Sequence, residues 1–313
     1  MRLNNNTLLN YVENIKFSTE EKRKYQNQID NLIKEISNAI KNNTNTKVLK
    51  VIQSGSWKKG TILKKSINNP IDIDLVFYLD IDFYNNNTFQ EINSEIKKLL
   101  KTIYPTKDNS DFWESAKTAG IEFKTSGLNV DIIPVKQNHY DCEYVEQPTK
   151  DHTTFITSPK LQLKFISERK EENPSYSSIV RLLKKWKNYN GLKLSSFAIE
   201  LIVASLDKSK GVETNIEEAI LRFFKLISSK YFPKIRFHLY GNETYDNSII
   251  YIADPSNDNN NVTKYLSEKE WNIVKNYADK AFDTLIYSDQ MDYNSQTEPL
   301  WKEIFGDDFK IKN

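Results

Sequence analysis

The sequence is poor in the residues that build disulfide frameworks and zinc sites. It contains one cysteine, Cys142, and three histidines among 313 residues. A single cysteine excludes an internal disulfide framework and any zinc cluster made of several cysteines. The histidines, His139, His152 and His238, follow no metal-ligand spacing, so they are predicted to be structural.

Long apolar segments and a large excess of charge are also missing. No apolar run approaches the roughly 20 residues that span a bilayer. Residues 1–17 lack the continuous apolar stretch and the cleavage site of a signal peptide, so a cytoplasmic location without a membrane partner is expected. The 44 basic residues are nearly balanced by 42 acidic ones, which argues against a protein that coats nucleic acid by bulk charge.

Hydrophobic periodicity predicts an α+β protein with a mixed first half and a mostly helical second half. The predicted helices of the first half cover residues 18–40, 57–63 and 89–103, and the predicted strands cover 47–54, 71–79, 120–124 and 128–135, with a turn at 68–70. The predicted helices of the second half cover residues 161–170, 176–189, 195–206 and 216–231, with further helices after 267. No Gly- or Ser-rich linker separates the halves, so we expect two closely joined lobes, 1–157 and 158–313.

Gly55 and Ser56 lie between a predicted strand and a predicted helix, in the pattern G-S-x-x-x-G-T. A chain that runs from a strand through glycine into a helix leaves unpaired backbone N–H groups, which suit phosphates. Gly55 permits close approach of the backbone, and Ser56 adds a hydroxyl donor. A triphosphate site is predicted here, although a Gly-Ser pair taken alone is more often a helix cap.

Asp72 and Asp74 lie at alternate positions of one predicted strand and therefore share a face. Asp131 lies on a strand predicted to be a neighbour. The apolar residues around these acids predict that the carboxylates are buried, which is costly unless cations neutralise them. Carboxylate oxygens suit hard divalent ions, so the three acids predict a site for two Mg²⁺ ions, with Mn²⁺ as a substitute. A D-x-D pattern taken alone is more often a solvated strand face.

Two such ions, about 3.5 to 4 Å apart, serve nucleotidyl transfer: one activates a hydroxyl nucleophile and the other stabilises the leaving pyrophosphate. Positioning and charge neutralisation supply most of the catalysis of phosphoryl transfer. The scarcity of histidine and cysteine is therefore no objection to an enzyme of this kind.

At these residues the sequence resembles the DNA polymerase β-like nucleotidyltransferase superfamily, whose pattern is G-S, D-x-D and a third acid. Its second half resembles the 2′-5′ oligoadenylate synthetases, cyclic GMP-AMP synthase and their bacterial relatives, the CD-NTases of CBASS anti-phage defence. The second resemblance is carried by residues 180–187, 194–201, 254–255, 260–262 and 301–309. Together the similarities span residues 50–306.

The resemblance implies a polymerase-β-like nucleotidyltransferase core, a mixed sheet with helices, in residues 1–157. It implies a helical lobe in 158–313 that closes the nucleotide cleft. Asp72 and Asp74 would bind both metal ions, Asp131 the ion that activates the acceptor hydroxyl, and Ser56 the donor triphosphate.

Three residues of the helical half gain roles from the same resemblance. Lys184 and Ser196 would contact phosphates, and Phe197 would stack on a base, at a position where relatives more often have tyrosine. The residues alone leave two other interpretations open. Lys184 could lie on a solvated helix face, and Phe197 could pack in the core.

The resemblance further implies an enzyme that condenses ATP or other ribonucleoside triphosphates into a cyclic second messenger, which activates a separate effector protein. Direct sensing of double-stranded DNA is not expected, since Cys142 cannot form a zinc ribbon alone. Two alternatives stay open. One is an enzyme that extends RNA ends, which the balanced charge disfavours. The other is an inactive nucleotide-binding partner protein, which the complete set of acids disfavours.

Overall fold

The computed structural model describes residues 2–64, 71–80, 88–138, 141–239 and 247–311. The predicted turn at 68–70 and His139 lie outside the described residues. The chain forms two compact units, which we call the sheet unit and the helical unit. The sheet unit comprises Phe17–Gly60 and Lys65–Leu163, and the helical unit comprises Met1–Lys16, Thr61–Lys64 and Lys164–Asn313. The functional division at 157/158 stays a prediction.

The sheet unit is built on one mixed sheet. The strands described in it are β1 (Lys47–Ser54), β2 (Ile71–Asp80), β3 (Phe112–Glu114), β4 (Ala119–Phe123), β5 (Leu128–Gln137), β6 (Val145–Pro148) and β7 (Thr154–Thr157). Their order is β1-β2-β5-β4-β3, and β6 pairs with the end of β5 and with β7. The pair β2 and β5 is parallel, whereas the other pairs are antiparallel.

One face of the sheet is apolar because residues alternate along each strand. Ile73 of β2 is the register partner of Val130 of β5, and both are buried. Two amphipathic helices, α2 (Thr19–Asn43) and α4 (Phe89–Ile103), contact each other and the strands. Each begins with a capping box, in which the capping hydroxyl and the Glu three residues later each accept a backbone N–H.

The helical unit packs around an aromatic core. Its helices are α1 (Asn5–Ile15), the second part of α5 (Pro159–Glu172), α6 (Tyr176–Tyr189), α7 (Ser196–Lys210), α8 (Ile216–Ser228), α9 (Glu268–Ser288) and α10 (Asn294–Phe305), with a two-stranded ladder of β8 (Ala253–Asp254) and β9 (Asn257–Asn261). Helix α6 contacts α1, α7, α8 and α10. Its Trp186 is buried against Phe224 at 5.0 Å between ring centroids, and Trp301 stacks on Phe309 at 5.5 Å.

Most predicted elements are confirmed, and the differences have local causes. The helix predicted over 57–63 is the shorter α3 (Gly55–Lys59), because Gly60 adopts φ +72° and ends it. The helix predicted over 216–231 ends at Ser228. Helix α1 and the short strands β3, β6, β7, β8 and β9 were not predicted. None of the described helices combines the length and the apolar character needed to cross a lipid bilayer.

Candidate active site

The Gly-Ser motif forms a turn from β1 directly into α3. Ser54 ends the strand in an extended conformation, and Gly55 follows with φ +61°. This left-handed conformation favours glycine. A side chain is excluded by space as well, because a Cβ at Gly55 would lie 1.8 Å from Oδ2 of Asp74. The motif therefore brings backbone N–H groups at the start of a helix against an acidic side chain.

The two strands that carry the acids run side by side. Asp74 of β2 is the register partner of Asp131 of β5 in the parallel pair, and Ser54 of β1 is the partner of Asp74 on the other side. Adjacent strands lie about 4.8 Å apart, and register partners point to the same face. The prediction that Asp131 lies on a neighbouring strand is thus confirmed, and Asp72 shares the face of Asp74.

The prediction that these carboxylates are buried is wrong. Asp72 is exposed and Asp74 and Asp131 are partly exposed. Ile71 and Ile73, which alternate with the two acids of β2, are buried in the core. The apolar neighbours in sequence belong to the opposite face of the strand, because alternate residues point in opposite directions. Water therefore reaches the acids and reduces the cost of their charge.

The face that carries the acids becomes apolar further along the strands. Val76 and Tyr78 of β2 pack with Ile133 and Val135 of β5, and Val145 of β6 joins this cluster. Burial raises the pKa of Tyr78 to about 12. The aspartates thus lie at the end of an apolar surface, where the strands become accessible to solvent.

Asp131 has a neighbour that sequence reasoning missed. Nε1 of Trp113, on β3, donates a hydrogen bond to Oδ1 of Asp131 at 2.9 Å. Trp113 is paired with Gly120 of β4, and Gly120 with Asp131. A three-residue strand has too few residues to show periodicity, so no sequence signal indicated this contact.

Lys184 is not part of a solvated helix face. It is 4% exposed, and its Nζ donates to the backbone oxygen of Thr61 at 2.9 Å. The hydroxyl of Thr61 donates to Oε1 of Glu200 at 2.7 Å, and both residues are buried. Thr61 ends the G-S-x-x-x-G-T pattern and Glu200 lies in segment 194–201, so both were within motifs but had no predicted role. The phosphate contact of Lys184 stays a prediction.

Ser196 and Phe197 form the first turn of α7. The preceding residue, Ser195, is the N-cap, and its hydroxyl accepts the N–H of Ala198 at 3.0 Å. Its own N–H donates to the hydroxyl of Tyr265 at 2.6 Å. Phe197 is partly buried against the core of the helical unit. The predicted contacts of both residues with nucleotide stay predictions.

The predicted residues fall into two sets. Lys184, Ser196 and Phe197 belong to the helical unit. The others belong to the sheet unit, and they are Gly55, Ser56, Asp72, Asp74 and Asp131.

A mixed sheet in which a glycine turn into a helix adjoins in-register aspartates defines a nucleotidyltransferase core. Residues 1–173 match the model of the Second Messenger Oligonucleotide or Dinucleotide Synthetase domain, SMODS. The chain is 31% identical to the CBASS oligonucleotide cyclase CdnC of Escherichia coli (strain KTE188), over 100% of this chain and 99% of that protein. It is 26% identical to the cyclic AMP-AMP-AMP synthase of Escherichia coli (strain MS 115-1), over 91% of each.

Solved structures show the same fold. The structure of Escherichia coli MS115-1 CdnC with ATP superposes with a TM-score of 0.83 at 24% identity, over 98% of this chain and 99% of that one. The Vibrio cholerae cyclic AMP-GMP synthase DncV superposes with a TM-score of 0.68 at 12% identity, over 96% and 93%.

The chain therefore belongs to the second messenger oligonucleotide or dinucleotide synthetase family. The predictions of an α+β nucleotidyltransferase fold, of CD-NTase kinship and of an oligonucleotide cyclase of CBASS are confirmed.

Proposed function

We propose that this enzyme condenses ribonucleoside triphosphates, ATP among them, into a cyclic oligonucleotide and releases pyrophosphate. The observation that carries the proposal is the register of Asp74 with Asp131, beside a Gly55 that has no room for a side chain. Support for ATP as a substrate comes from Escherichia coli MS 115-1, from which CdnC was determined with ATP and from which a relative is named cyclic AMP-AMP-AMP synthase.

Asp72, Asp74 and Asp131 are the residues that would hold divalent ions. The donor set fits Mg²⁺, and Mn²⁺ in its place, because it consists of carboxylate oxygens on adjacent strands. Within the described ranges, no three acidic, histidine or cysteine side chains are already grouped to hold a metal. We propose that the three aspartate side chains rotate toward one another when the ions bind. When bound, two ions would activate the acceptor hydroxyl and stabilise the leaving pyrophosphate.

The remaining predicted residues would position the nucleotides. The N–H groups at Gly55 and Ser56 and the hydroxyl of Ser56 would hold donor phosphates at the start of α3. Lys184 and Ser196 would contact phosphates, and Phe197 would stack on a base. Lys184 donates to the backbone oxygen of Thr61, and an ammonium group carries three N–H donors. We propose that it serves phosphate and protein together.

Protein partners are proposed from a relative as well. Escherichia coli MS115-1 CdnC forms a complex with a HORMA protein, and that structure superposes on this chain with a TM-score of 0.81. We propose a HORMA-domain partner for this enzyme, and a separate effector protein that its product activates. We also propose a cytoplasmic location, where the nucleotide substrates are available, and no direct activation by double-stranded DNA.

The test is incubation with the four ribonucleotides and Mg²⁺ or Mn²⁺, followed by phosphatase treatment and mass analysis. Wild type is compared with Asp72→Asn/Asp74→Asn and with Asp80→Asn, an exposed acid at the end of the same strand. A cyclic product is expected from wild type and Asp80→Asn, and a loss of at least about 10³-fold from the double variant.

Other outcomes contradict the proposal. Extension of an added RNA, without a cyclic product, would select the tailing enzyme. Absence of any product would select the inactive nucleotide-binding protein. A cyclic product from the double variant at the wild-type rate would remove Asp72 and Asp74 from the metal site.

A further inference from the structure

Trp113 reaches Asp131 across an intervening strand. The two residues lie on β3 and β5, with β4 between them, and the register runs from Trp113 to Gly120 to Asp131. Two strand spacings of about 4.8 Å separate their backbones, yet Nε1 of Trp113 and Oδ1 of Asp131 are 2.9 Å apart. Only a long side chain that lies flat over the central residue spans this distance.

The central residue is a glycine for reasons of space. A Cβ at Gly120 would lie 2.2 Å from Cε2 and 2.5 Å from Nε1 of Trp113, well inside van der Waals contact. Gly120 does not have a positive φ, so its backbone conformation does not require glycine. A glycine within a strand often marks such close approach. Any side chain at this position would push the indole off the sheet.

The strand that carries Trp113 is itself held in place. The buried side chain of Asn93, on α4, donates from Nδ2 to the backbone oxygens of Ser115 and Ala116 at 3.0 and 3.2 Å. Nζ of Lys97, one turn further along α4, lies 3.6 Å from a carboxylate oxygen of Glu114. These contacts fix the turn from β3 to β4, and with it the start of the indole side chain.

We propose that Trp113 is a positioning residue for Asp131. Gly120 makes this possible because it has no side chain, which leaves space for the indole to reach Asp131. The indole N–H is a donor and never an acceptor. It can therefore hydrogen-bond one carboxylate oxygen of Asp131, but it cannot itself bind a cation. This hydrogen bond fixes the orientation of the carboxylate, and with it the direction in which the other oxygen, Oδ2, points. This role rests on the proposed function, in which Asp131 is a metal ligand. The indole would then hydrogen-bond a metal ligand without binding the metal, and hydrogen bonds of this kind tune metal affinity.

The test is Mn²⁺ binding without nucleotide, measured as loss of the free-ion signal in electron paramagnetic resonance. Trp113→Phe keeps an aromatic ring and removes the donor, and Gly120→Ala displaces the ring. Trp271→Phe is the matched control, because Trp271 is a buried indole of the helical unit, at 3% exposure, packed on Phe232. We expect Mn²⁺ affinity to fall about tenfold in the first two variants and to stay unchanged in the control.

Kinetics and a double variant sharpen the result. The kcat should fall with metal affinity, while KM for ATP stays within about twofold of wild type. Because both substitutions break the same contact, Trp113→Phe/Gly120→Ala should bind Mn²⁺ no more weakly than the weaker single variant. Full additivity would contradict the role of Gly120. Thermal unfolding of each variant checks that it is folded.

Wild-type Mn²⁺ affinity in folded Trp113→Phe would overturn the proposal. Asp131→Asn separates this failure from failure of the proposed function. If Asp131→Asn loses Mn²⁺ and Trp113→Phe does not, only the positioning role is refuted. If Asp131→Asn binds Mn²⁺ and makes product as wild type does, the metal role of Asp131 is refuted as well.

Discussion

The carboxylate of Asp74 occupies the space that a side chain at Gly55 would need. A Cβ at Gly55 would lie 1.8 Å from Oδ2 and 2.9 Å from Cγ of Asp74. The turn that offers N–H groups and the strand that offers the acid are therefore in direct contact. A side chain added at Gly55 must therefore displace the carboxylate of Asp74.

Gly55→Ala should reduce cyclase activity by at least about 10²-fold, because a displaced reactive group costs that much. Gly191→Ala is the matched control: Gly191 also has φ +61°, but nothing lies within 4 Å of its Cβ position. Both variants bear the backbone strain of roughly 1–2 kcal/mol, so thermal unfolding should shift in both. Activity should fall only in Gly55→Ala, and equal activity losses would show that backbone strain, not the clash with Asp74, is responsible.

Lys184→Ala should weaken nucleotide use far more than Lys187→Ala, which changes a less buried lysine of the same helix. It should also lower the free energy of unfolding by about 1–3 kcal/mol, because it removes the buried donor to Thr61. Initial rates against ATP concentration and thermal unfolding measure the two effects. Small and equal effects of both substitutions would remove Lys184 from the site.

Phe197→Ala should release more linear intermediate relative to cyclic product. Stacking of an aromatic side chain on a base is worth about 1–3 kcal/mol, and the intermediate must be retained while it turns for the second bond. Phe197→Tyr keeps the ring and should cyclise as wild type does. A chromatographed time course at a temperature well below unfolding decides the matter, and an unchanged ratio in Phe197→Ala would exclude a stacking role.

Glu217 should make stability depend on pH. Its pKa is raised from the ordinary 4.5 to about 7. Burial is the main cause, the N–H of Leu3, 2.6 Å from Oε2, opposes the rise, and the nearby Asp289 adds to it. The folded state therefore favours the protonated acid. Its contribution to stability is fully present below pH 4.5 and is lost as the pH rises through about 7.

Glu217→Gln, which resembles the protonated acid, should remove this loss. At about 1.4 kcal/mol per pKa unit, the variant should be roughly 3–4 kcal/mol more stable than wild type at pH 8 and similar to it near pH 4.5. Urea unfolding across this range measures the difference. Glu268→Gln, at an exposed position of α9, should keep the wild-type pH dependence, and a parallel curve for Glu217→Gln would contradict the prediction.

The sequence predicted the structure best where hydrophobic residues recur at regular spacing or where a recognisable motif is present. Helices α4 and α6 were predicted at their observed bounds because their apolar stripes are regular. The D-x-D strand and its neighbour with Asp131 followed from alternation. Helix α1 was missed although Leu8, Tyr11, Val12 and Ile15 are buried at helical spacing, because its Asn-rich composition masked the stripe.

Contacts between distant positions were beyond the reach of periodicity. Lys184 and Thr61 are 123 positions apart, and Thr61 and Glu200 are 139 apart. The contact of Trp113 with Asp131 depends on the register of three strands, and the gap at Gly120 becomes visible only when that register is known. The exposure of the aspartates likewise depends on which face of the sheet the helices cover.

The chain passes between the two units at residues 16/17, 60/61, 64/65 and 163/164. Helix α1 is made before its partners α6 and α8, and the bond from Leu3 to Glu217 spans 214 positions. At about 5–20 residues per second, a ribosome needs roughly 10–40 s to cover that distance. During synthesis the apolar side of α1 is therefore not yet covered by α6 and α8. A nascent chain stalled before α6 would expose that side to chaperones and proteases.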